Sequence, residues 1–233
     1  MANVEIDGVN SKVYTDQVDP KTGPTLTLGT SGDTVNLGSG VTAGTGFGGD
    51  LSFGGDTFGA DKTVGANDAY AFTLETSGNP AIKMDALGHV TKPLQPAFLA
   101  YASTVTDVTG DGTLYDVIYA NEVFDQNADY NTTTGIFTAP VTGRYMFSTT
   151  FEFEPDADHT TSYSYFKSSN RTIPVFWINP AATEAALGIL DINGATVMDM
   201  DAGDTMYINW SVAGGAKTSD IGGGNTFGGY LIC

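Results

Sequence analysis

Two histidines, one cysteine and 27 acidic side chains are the residues of this 233-residue chain most suited to chemistry. Hydrolysis needs a nucleophile beside a base, or two carboxylates placed for acid and base work. His89 has no cysteine near it, and no Gly-x-Ser-x-Gly elbow stands anywhere in the chain. His159 closes the acidic stretch from Glu152 to His159. Cys233 ends an apolar run, so the expectation there is a buried, inert thiol rather than a nucleophile. No spacing among the acids singles out a catalytic pair. The chain reads as non-enzymatic, with no catalytic residue and no metal ligand assigned.

Binding chemistry has more to work with. Asp107-Val108-Thr109-Gly110-Asp111-Gly112 begins like a calcium loop, but its twelfth position is Ile118 where a bidentate Glu is needed. The stretch reads as a polar turn, and Glu154–Asp158 as a solvated loop. No cofactor is required; calcium stays open as a candidate. Tyr163-Ser164-Tyr165-Phe166-Lys167 is suited to stacking on a sugar or a receptor, or equally to a strand facing a core; the second reading is preferred. Asn131, Asn170 and Asn209 each head a glycosylation sequon, read here as accidents of composition.

Charge sorts the partners. Nine basic residues against 27 acidic ones leave −18, although charged residues are only 15% of the chain. Phosphate backbones repel such a chain, so nucleic acid is excluded. No stretch reaches the ~18 apolar residues of a membrane helix, so no membrane insertion is expected. The start, Met1-Ala2-Asn3-Val4-Glu5, does not look like a secretion signal. A lone cysteine forms no intrachain disulfide. Thirteen Phe, 11 Tyr and 2 Trp are enough for a core.

Lys92-Pro93-Leu94-Gln95-Pro96 divides the chain, because two prolines keep the backbone extended. Residues 1–95 hold 16 of the 30 glycines, with 11 acids and 5 bases. Residues 96–233 have 16 acids and 4 bases, a net −12. In the first part, Thr25-Leu26-Thr27-Leu28-Gly29 returns nine positions on as Thr34-Val35-Asn36-Leu37-Gly38. Phe47-Gly48-Gly49-Asp50 returns as Phe53-Gly54-Gly55-Asp56. Ala69–Leu74 and Ala81–Met84 read as two more short strands. Such units cannot bury a face alone. The expectation is a β stalk wound from several chains, which also fixes the protein to other components; a mobile Gly-rich segment is the alternative.

The second part reads as an antiparallel sandwich. Strands are expected at Ala97–Tyr101, Asp116–Ala120, Gly135–Thr138, Gly143–Phe153, Val175–Ile178, Leu187–Ile192, Thr205–Val212 and Phe227–Ile232. Asn193-Gly194 and Ala202-Gly203-Asp204 are expected turns. Ala181–Ala186, after Pro180, is the one helix candidate. Eight strands at this spacing point to a jelly roll.

A run from Asn127 to Phe147 then carries a family resemblance. Tyr130, Gly135-Ile136-Phe137-Thr138-Ala139-Pro140 and Gly143-Arg144-Tyr145-Met146-Phe147 resemble the signature of the globular head of complement component one, subcomponent q, whose jelly roll is shared with tumour necrosis factor ligands. Phe98 resembles the family's first strand, Gly203-Asp204 its turn, and Phe227-Gly228-Gly229-Tyr230-Leu231 its last strand. The resemblance covers Pro96 to Cys233, 138 residues. It implies a homotrimer, and gives Phe98, Tyr130, Gly135, Phe137, Pro140, Gly143, Tyr145, Phe147, Gly203, Asp204, Phe227 and Gly229 structural rather than catalytic roles. No collagen-like Gly-X-Y period precedes this head. The join from Asp85 to Phe98, and the Thr-Leu-Gly repeat, instead resemble bacteriophage fibre and other virion surface proteins.

The resulting expectation is a non-enzymatic homotrimeric virion surface protein, assembled in the host cytoplasm: a tail fibre, or a capsid decoration protein. Residues 1–95 would bind other virion proteins, and the head at 96–233 would serve adhesion to a host-surface glycan or protein, or particle stabilisation. The alternative is a secreted ligand of the complement and tumour necrosis factor type, or a carbohydrate-binding module.

Overall fold

Residues 143–154 set the pattern of the fold. Tyr145, Phe147, Thr149, Phe151 and Phe153 are buried, while the residues between them face outward, the period of two that a strand with one buried face must have. The computed structural model describes residues 61, 64–154, 156, 158–183 and 189–233. The Thr-Leu-Gly and Phe-Gly-Gly-Asp repeats lie outside the described residues, as does the rest of the expected stalk up to residue 60.

Three short strands come first: β1 (Phe72–Thr76), β2 (Asn79–Met84) and β3 (Val90–Thr91) form one antiparallel sheet. The β1–β2 link is Ser77-Gly78, both at positive φ (52° and 76°), as a two-residue hairpin requires. No described residue from position 61 to 95 is buried.

The sandwich follows: β4 (Ala97–Tyr101), β5 (Val105–Thr109), β6 (Tyr115–Asp116), β7 (Asn121–Asp125), β8 (Tyr130–Asn131), β9 (Ile136–Thr138), β10 (Gly143–Glu154), β11 (Thr161–Ser168), β12 (Thr172–Ile178), the single turn of α1 (Pro180–Thr183), β13 (Leu190–Met200), β14 (Thr205–Ala213), β15 (Ser219–Ile221) and β16 (Thr226–Leu231). One sheet has seven strands, ordered β5-β15-β10-β16-β4-β7, with β13 on the free side of β10. The other has six, ordered β12-β11-β14-β9-β8, with β6 beside β14. From β10 the chain crosses to the second sheet for the β11–β12 hairpin, returns for β13, crosses again for β14, and returns for β15 and β16. This is a jelly roll, and among the described residues it is all-β apart from α1.

Between the sheets lie two aromatic groups. Phe98 stacks on Tyr130 at 4.7 Å and on Phe137 at 5.1 Å, and meets Phe227 edge-on. Phe137 meets Tyr145 and Phe147 edge-on, both at 5.5 Å. At the other end Phe151, Phe153, Phe176 and Trp210 form the second group. Each such ring contributes about 1.5–3 kcal/mol on burial, and its ring contacts add to that. Polar atoms inside are placed with care. The Tyr119 hydroxyl lies 3.0 Å from Thr149 Oγ1, which also donates to Thr226 O, and Tyr130 donates to Tyr119 O. Burial pushes the phenols of Tyr119, Tyr130 and Tyr145 upward.

Several expectations need correction. Asn193-Gly194 is not a turn: both lie within β13, opposite Thr150 and Thr149 of β10. Gly194 is small there because a Cβ would come 2.6 Å from the Val175 side chain. That strand begins at Leu190 and runs to Met200, well past the expected Ile192; positions 187 and 188 lie outside the described residues. Of Asp116–Ala120 only Asp116 is in a strand, with Tyr115. The edge of β14 is shared between β6, at Asn209 and Trp210, and β9, at Thr205 and Met206. Val117 beyond it keeps one bond, to Ile208 O. Pro180–Thr183 is helical, in line with the helix expected over Ala181–Ala186, whose positions 184–186 lie outside the described residues.

Candidate functional site

The two histidines, to which the sequence assigns no catalytic part, each make hydrogen bonds that hold local structure. Asp85 and His89 close an exposed turn: the Asp85 carboxylate accepts the N–H groups of Leu87 and His89 and lies 2.8 Å from His89 Nδ1. These bonds, the His89 ring foremost, hold the Asp85 carboxyl below its ordinary value. The described acids of the expected solvated loop, Glu154, Asp156 and Asp158, are exposed, whereas His159 directly after them is fully buried. Its Nδ1 accepts the Asp156 N–H at 2.8 Å, and its Nε2 is 3.1 Å from Ala216 O. Nε2 therefore carries the proton. Ser219 Oγ is 3.2 Å from the same Nδ1, but that nitrogen already holds the Asp156 N–H and both side chains are sealed from solvent. The pair pins two loops together instead of forming a nucleophile and base. Cys233 corrects the expectation of a buried thiol: it is exposed, two residues past the end of β16.

The Asp107–Gly112 motif is only partly the expected turn: Asp107, Val108 and Thr109 end β5, and the chain bends at Gly110–Gly112. The Asp107 N–H donates to Asp220 Oδ1, and Asp111 accepts the Thr113 N–H. Among the described residues no group of three His, Cys, Asp or Glu is placed to hold a metal ion. Asp204 has the richest set of partners. It accepts Ser169 Oγ at 2.6 Å, the Asp201 N–H at 2.9 Å and Asn170 Nδ2 at 3.0 Å, tying the β13–β14 turn to the β11–β12 turn. The Ser169 bond is the main reason its carboxyl is held low.

The motif residues gather in and around the core. Phe98, Tyr130, Phe137, Tyr145, Phe147 and Phe227 are all buried. Gly135 (φ 73°) makes the β8–β9 turn, where a Cβ would strike Val117 O at 2.6 Å. Pro140 follows β9, Gly143 opens β10, and Gly203 (φ 92°) turns the chain before Asp204. Gly229 lies under the Phe147 ring.

Two surfaces remain, and each is the outward side of a sheet. On the seven-stranded sheet, Met146 stands between Tyr230 of β16 and Val197 of β13. Leu99 lies beside Gly228 and, on its other side, Phe124 of β7. Tyr230 is 53% exposed, Val197 52% and Phe124 48%. Leu99, Phe124, Met146, Ser148 and Tyr230 line a shallow hollow of about 300 Å³. Toward the far end of β10 the same face turns acidic, with Glu152 opposite Asp191. The sequence signal for this surface was present but unused: Leu99, Met146 and Tyr230 are apolar at the outward positions of strands whose inward positions are apolar too.

On the six-stranded sheet the outward side is aromatic. Tyr163–Lys167 is part of β11, with Ser164 and Phe166 inward. The preferred core-facing reading thus holds for Phe166 and fails for Tyr163 and Tyr165, because neighbours in a strand point to opposite faces. Of the sequons, Asn131 and Asn170 are exposed, whereas Asn209 is buried in β14.

Over residues 97–232 the sequence matches the family described as C1q domain. Among solved structures, the globular domain of zebrafish complement 1qA protein is similar at 22% identity and a TM-score of 0.43, over 59% of this chain and 98% of that one. A crystal structure of murine APRIL at pH 8.5 is similar at 13% identity and a TM-score of 0.41, over 59% and 99%. A second, at pH 8.0, is similar at 15% identity and a TM-score of 0.40, over 59% and 98%. No curated protein matches the sequence.

Proposed function

The chain belongs to the C1q domain family over residues 97–232, and we propose that it is a non-enzymatic, homotrimeric display protein of a virion surface, a tail fibre or a capsid decoration protein. Domains of this family and its tumour necrosis factor relatives form homotrimers and act as structural or ligand domains. The observation that carries the trimer is the apolar row Leu99, Phe124, Met146, Val197 and Tyr230 on the outside of a head with net charge −12. So much apolar surface on one face of an acidic protein marks a place where another surface fits. A second copy of the chain is the occupant. The three-stranded sheet supports this reading: Leu74, Met84 and Val90 are exposed, and a small sheet with no buried side chain is marginal without a partner.

In this reading residues 1–95 bind other virion components and join the stalks of three chains. The jelly-roll head from 96 to 233 then presents its loops and outer sheet three times over, so weak contacts with a host surface add through avidity. The repeats of residues 25–56 favour the virion setting. Light scattering tests the assembly, a trimer being expected and a monomer of 24.3 kDa at micromolar concentration refuting it. Labelling the protein on imaged particles tests the location. Full-length protein that competes with virions for host cells supports adhesion, and its failure to compete leaves particle stabilisation as the role.

A secreted ligand of the same family is the second reading, favoured by the exposed sequons at Asn131 and Asn170. Glycans on those residues in native material decide for it, and unmodified asparagines decide against it.

A further inference from the structure

The outward side of the six-stranded sheet is left free by the proposed trimer contact. Tyr163 and Tyr165 stand there on β11, their ring centroids 5.3 Å apart. Trp177 is the cross-strand partner of Tyr163 on β12, with its ring 5.9 Å away. Each ring pair is tilted by 53°, giving a stepped rather than flat platform. Trp177 is 70% exposed, in contrast to the buried Trp210. On the other side of β11, Asn209 and Ser211 of β14 are the partners of Tyr165 and Tyr163. Asn209 Oδ1 and Ser211 Oγ are enclosed there without a hydrogen-bond partner, although both residues are more than nine-tenths buried. Native proteins rarely leave such atoms unpaired.

We propose that this aromatic face is a binding site for a neutral carbohydrate. A pyranose ring has one face of C–H groups and a rim of hydroxyls. The C–H face matches exposed aromatic rings, and the hydroxyls match uncharged polar groups at the edge of a platform. Trp177 and Tyr163 provide the stacking surfaces, and Tyr165 continues them toward Lys167, whose Nζ already donates to Thr172 Oγ1. A small movement of the two tyrosines opens Asn209 and Ser211 to a sugar hydroxyl that both donates and accepts. Electrostatics chooses among glycans. The strand residues of this face carry one cation, Lys167, and one anion, Asp116, the partner of Asn209 on β6. The face is neutral while the head around it is strongly acidic, so sialylated or sulfated chains are repelled and uncharged ones are not.

The inference rests on the reading of the head as an adhesive display module, and its test separates the two. Full-length protein is applied to an array of neutral hexose and N-acetylhexosamine oligosaccharides, with sialylated and sulfated counterparts beside them. Hits are titrated while tryptophan emission is followed. Saturable binding of a neutral class is expected, with a change in Trp177 emission. Trp177→Ala and Tyr163→Ala should each weaken it by about tenfold or more, at unchanged scattering mass and melting temperature. Trp177→Phe, which keeps a ring, should retain part of the affinity. Binding that prefers the anionic glycans, binding untouched by Trp177→Ala, or an array with no neutral hit overturns the site. If full-length protein still competes with virions in that last case, adhesion stands and its partner is a protein. If it does not compete, the adhesive reading falls as well.

Discussion

Phe147 and Gly229 face each other across the β10–β16 ladder, and the phenyl ring occupies the space that a side chain at 229 would need: a Cβ there would come within 2.5 Å of Phe147 Cδ1. The ring in turn contacts Phe137, Tyr145 and Phe227, so it has no free direction in which to move. Gly229→Ala is therefore expected to lower stability by about 1–3 kcal/mol through overpacking. Chemical denaturation measures it. In the Phe147→Leu background the added methyl should cost distinctly less, and a double-mutant cycle showing strict additivity would refute the contact.

Thr149 and Tyr119 predict an asymmetry. Tyr119→Phe removes one hydroxyl, and Thr149 keeps Thr226 O as its acceptor. Thr149→Val strands the fully buried Tyr119 hydroxyl. The first change should cost about 1 kcal/mol or less and the second about 1–3 kcal/mol, from the desolvation of an unpaired group. Equal losses in urea titrations would show that the pair is not buried as described.

The outward face of the seven-stranded sheet is expected to lose its partner when charged. Met146→Glu places a carboxylate between Tyr230 and Val197. Scattering mass should fall from three times 24.3 kDa to one, with the far-ultraviolet spectrum retained. Ser148→Glu, beside the hollow, should act in the same direction. A trimer that survives both changes places the contact elsewhere.

Asp204 predicts an acid-linked loss. Its folded carboxyl is held below the ordinary value, chiefly by Ser169 and then by the Asp201 N–H and Asn170. The unfolded chain thus binds that proton first as pH falls. The stabilisation is complete above the unfolded pKa of about 4 and disappears as pH drops through the lower folded value. Melting curves of wild type and Asp204→Asn should differ most near neutrality and converge as pH falls through the lowered folded value. A gap that widens in acid would reverse the assignment.

The two tryptophans should report separately. Trp210 is fully buried, its Nε1 donating to Ser162 Oγ at 3.1 Å, and Trp177 is exposed. Acrylamide should quench only Trp177, and Trp177→Phe should leave a blue-shifted, unquenched spectrum with stability changed by less than about 0.5 kcal/mol. Trp210→Ala should cost about 3–5 kcal/mol.

Much of the sandwich was legible in the sequence because period-two alternation is a local property. Ala97–Tyr101 is a strand as read, Gly143–Phe153 is extended by a single residue, and Phe137, Tyr145 and Phe147 share one buried side. Gly135 and Gly203 were recognisable as turn residues for the same reason. Asn193-Gly194 misled because its dipeptide signal is local, whereas the need for a small residue at 194 comes from Val175, on a strand of the other sheet. The burial of His159 was not legible: its neighbours in sequence are acidic, and its hydrogen-bond partner Ala216 and its neighbour Ser219 arrive from far along the chain.

By itself the sequence determined which side of the long strands is buried and where several of the tight turns fall. Alternation and φ > 0 at glycine are both written in short stretches of residues. The tertiary structure alone decided which outward residues become neighbours. Leu99, Met146, Val197 and Tyr230 share one face, and Tyr163, Tyr165 and Trp177 another, only because strands remote in sequence pair in one particular register. A shift of one residue in any ladder would send these side chains inward and the core aromatics out, so the surfaces exist only at the level of strand pairing.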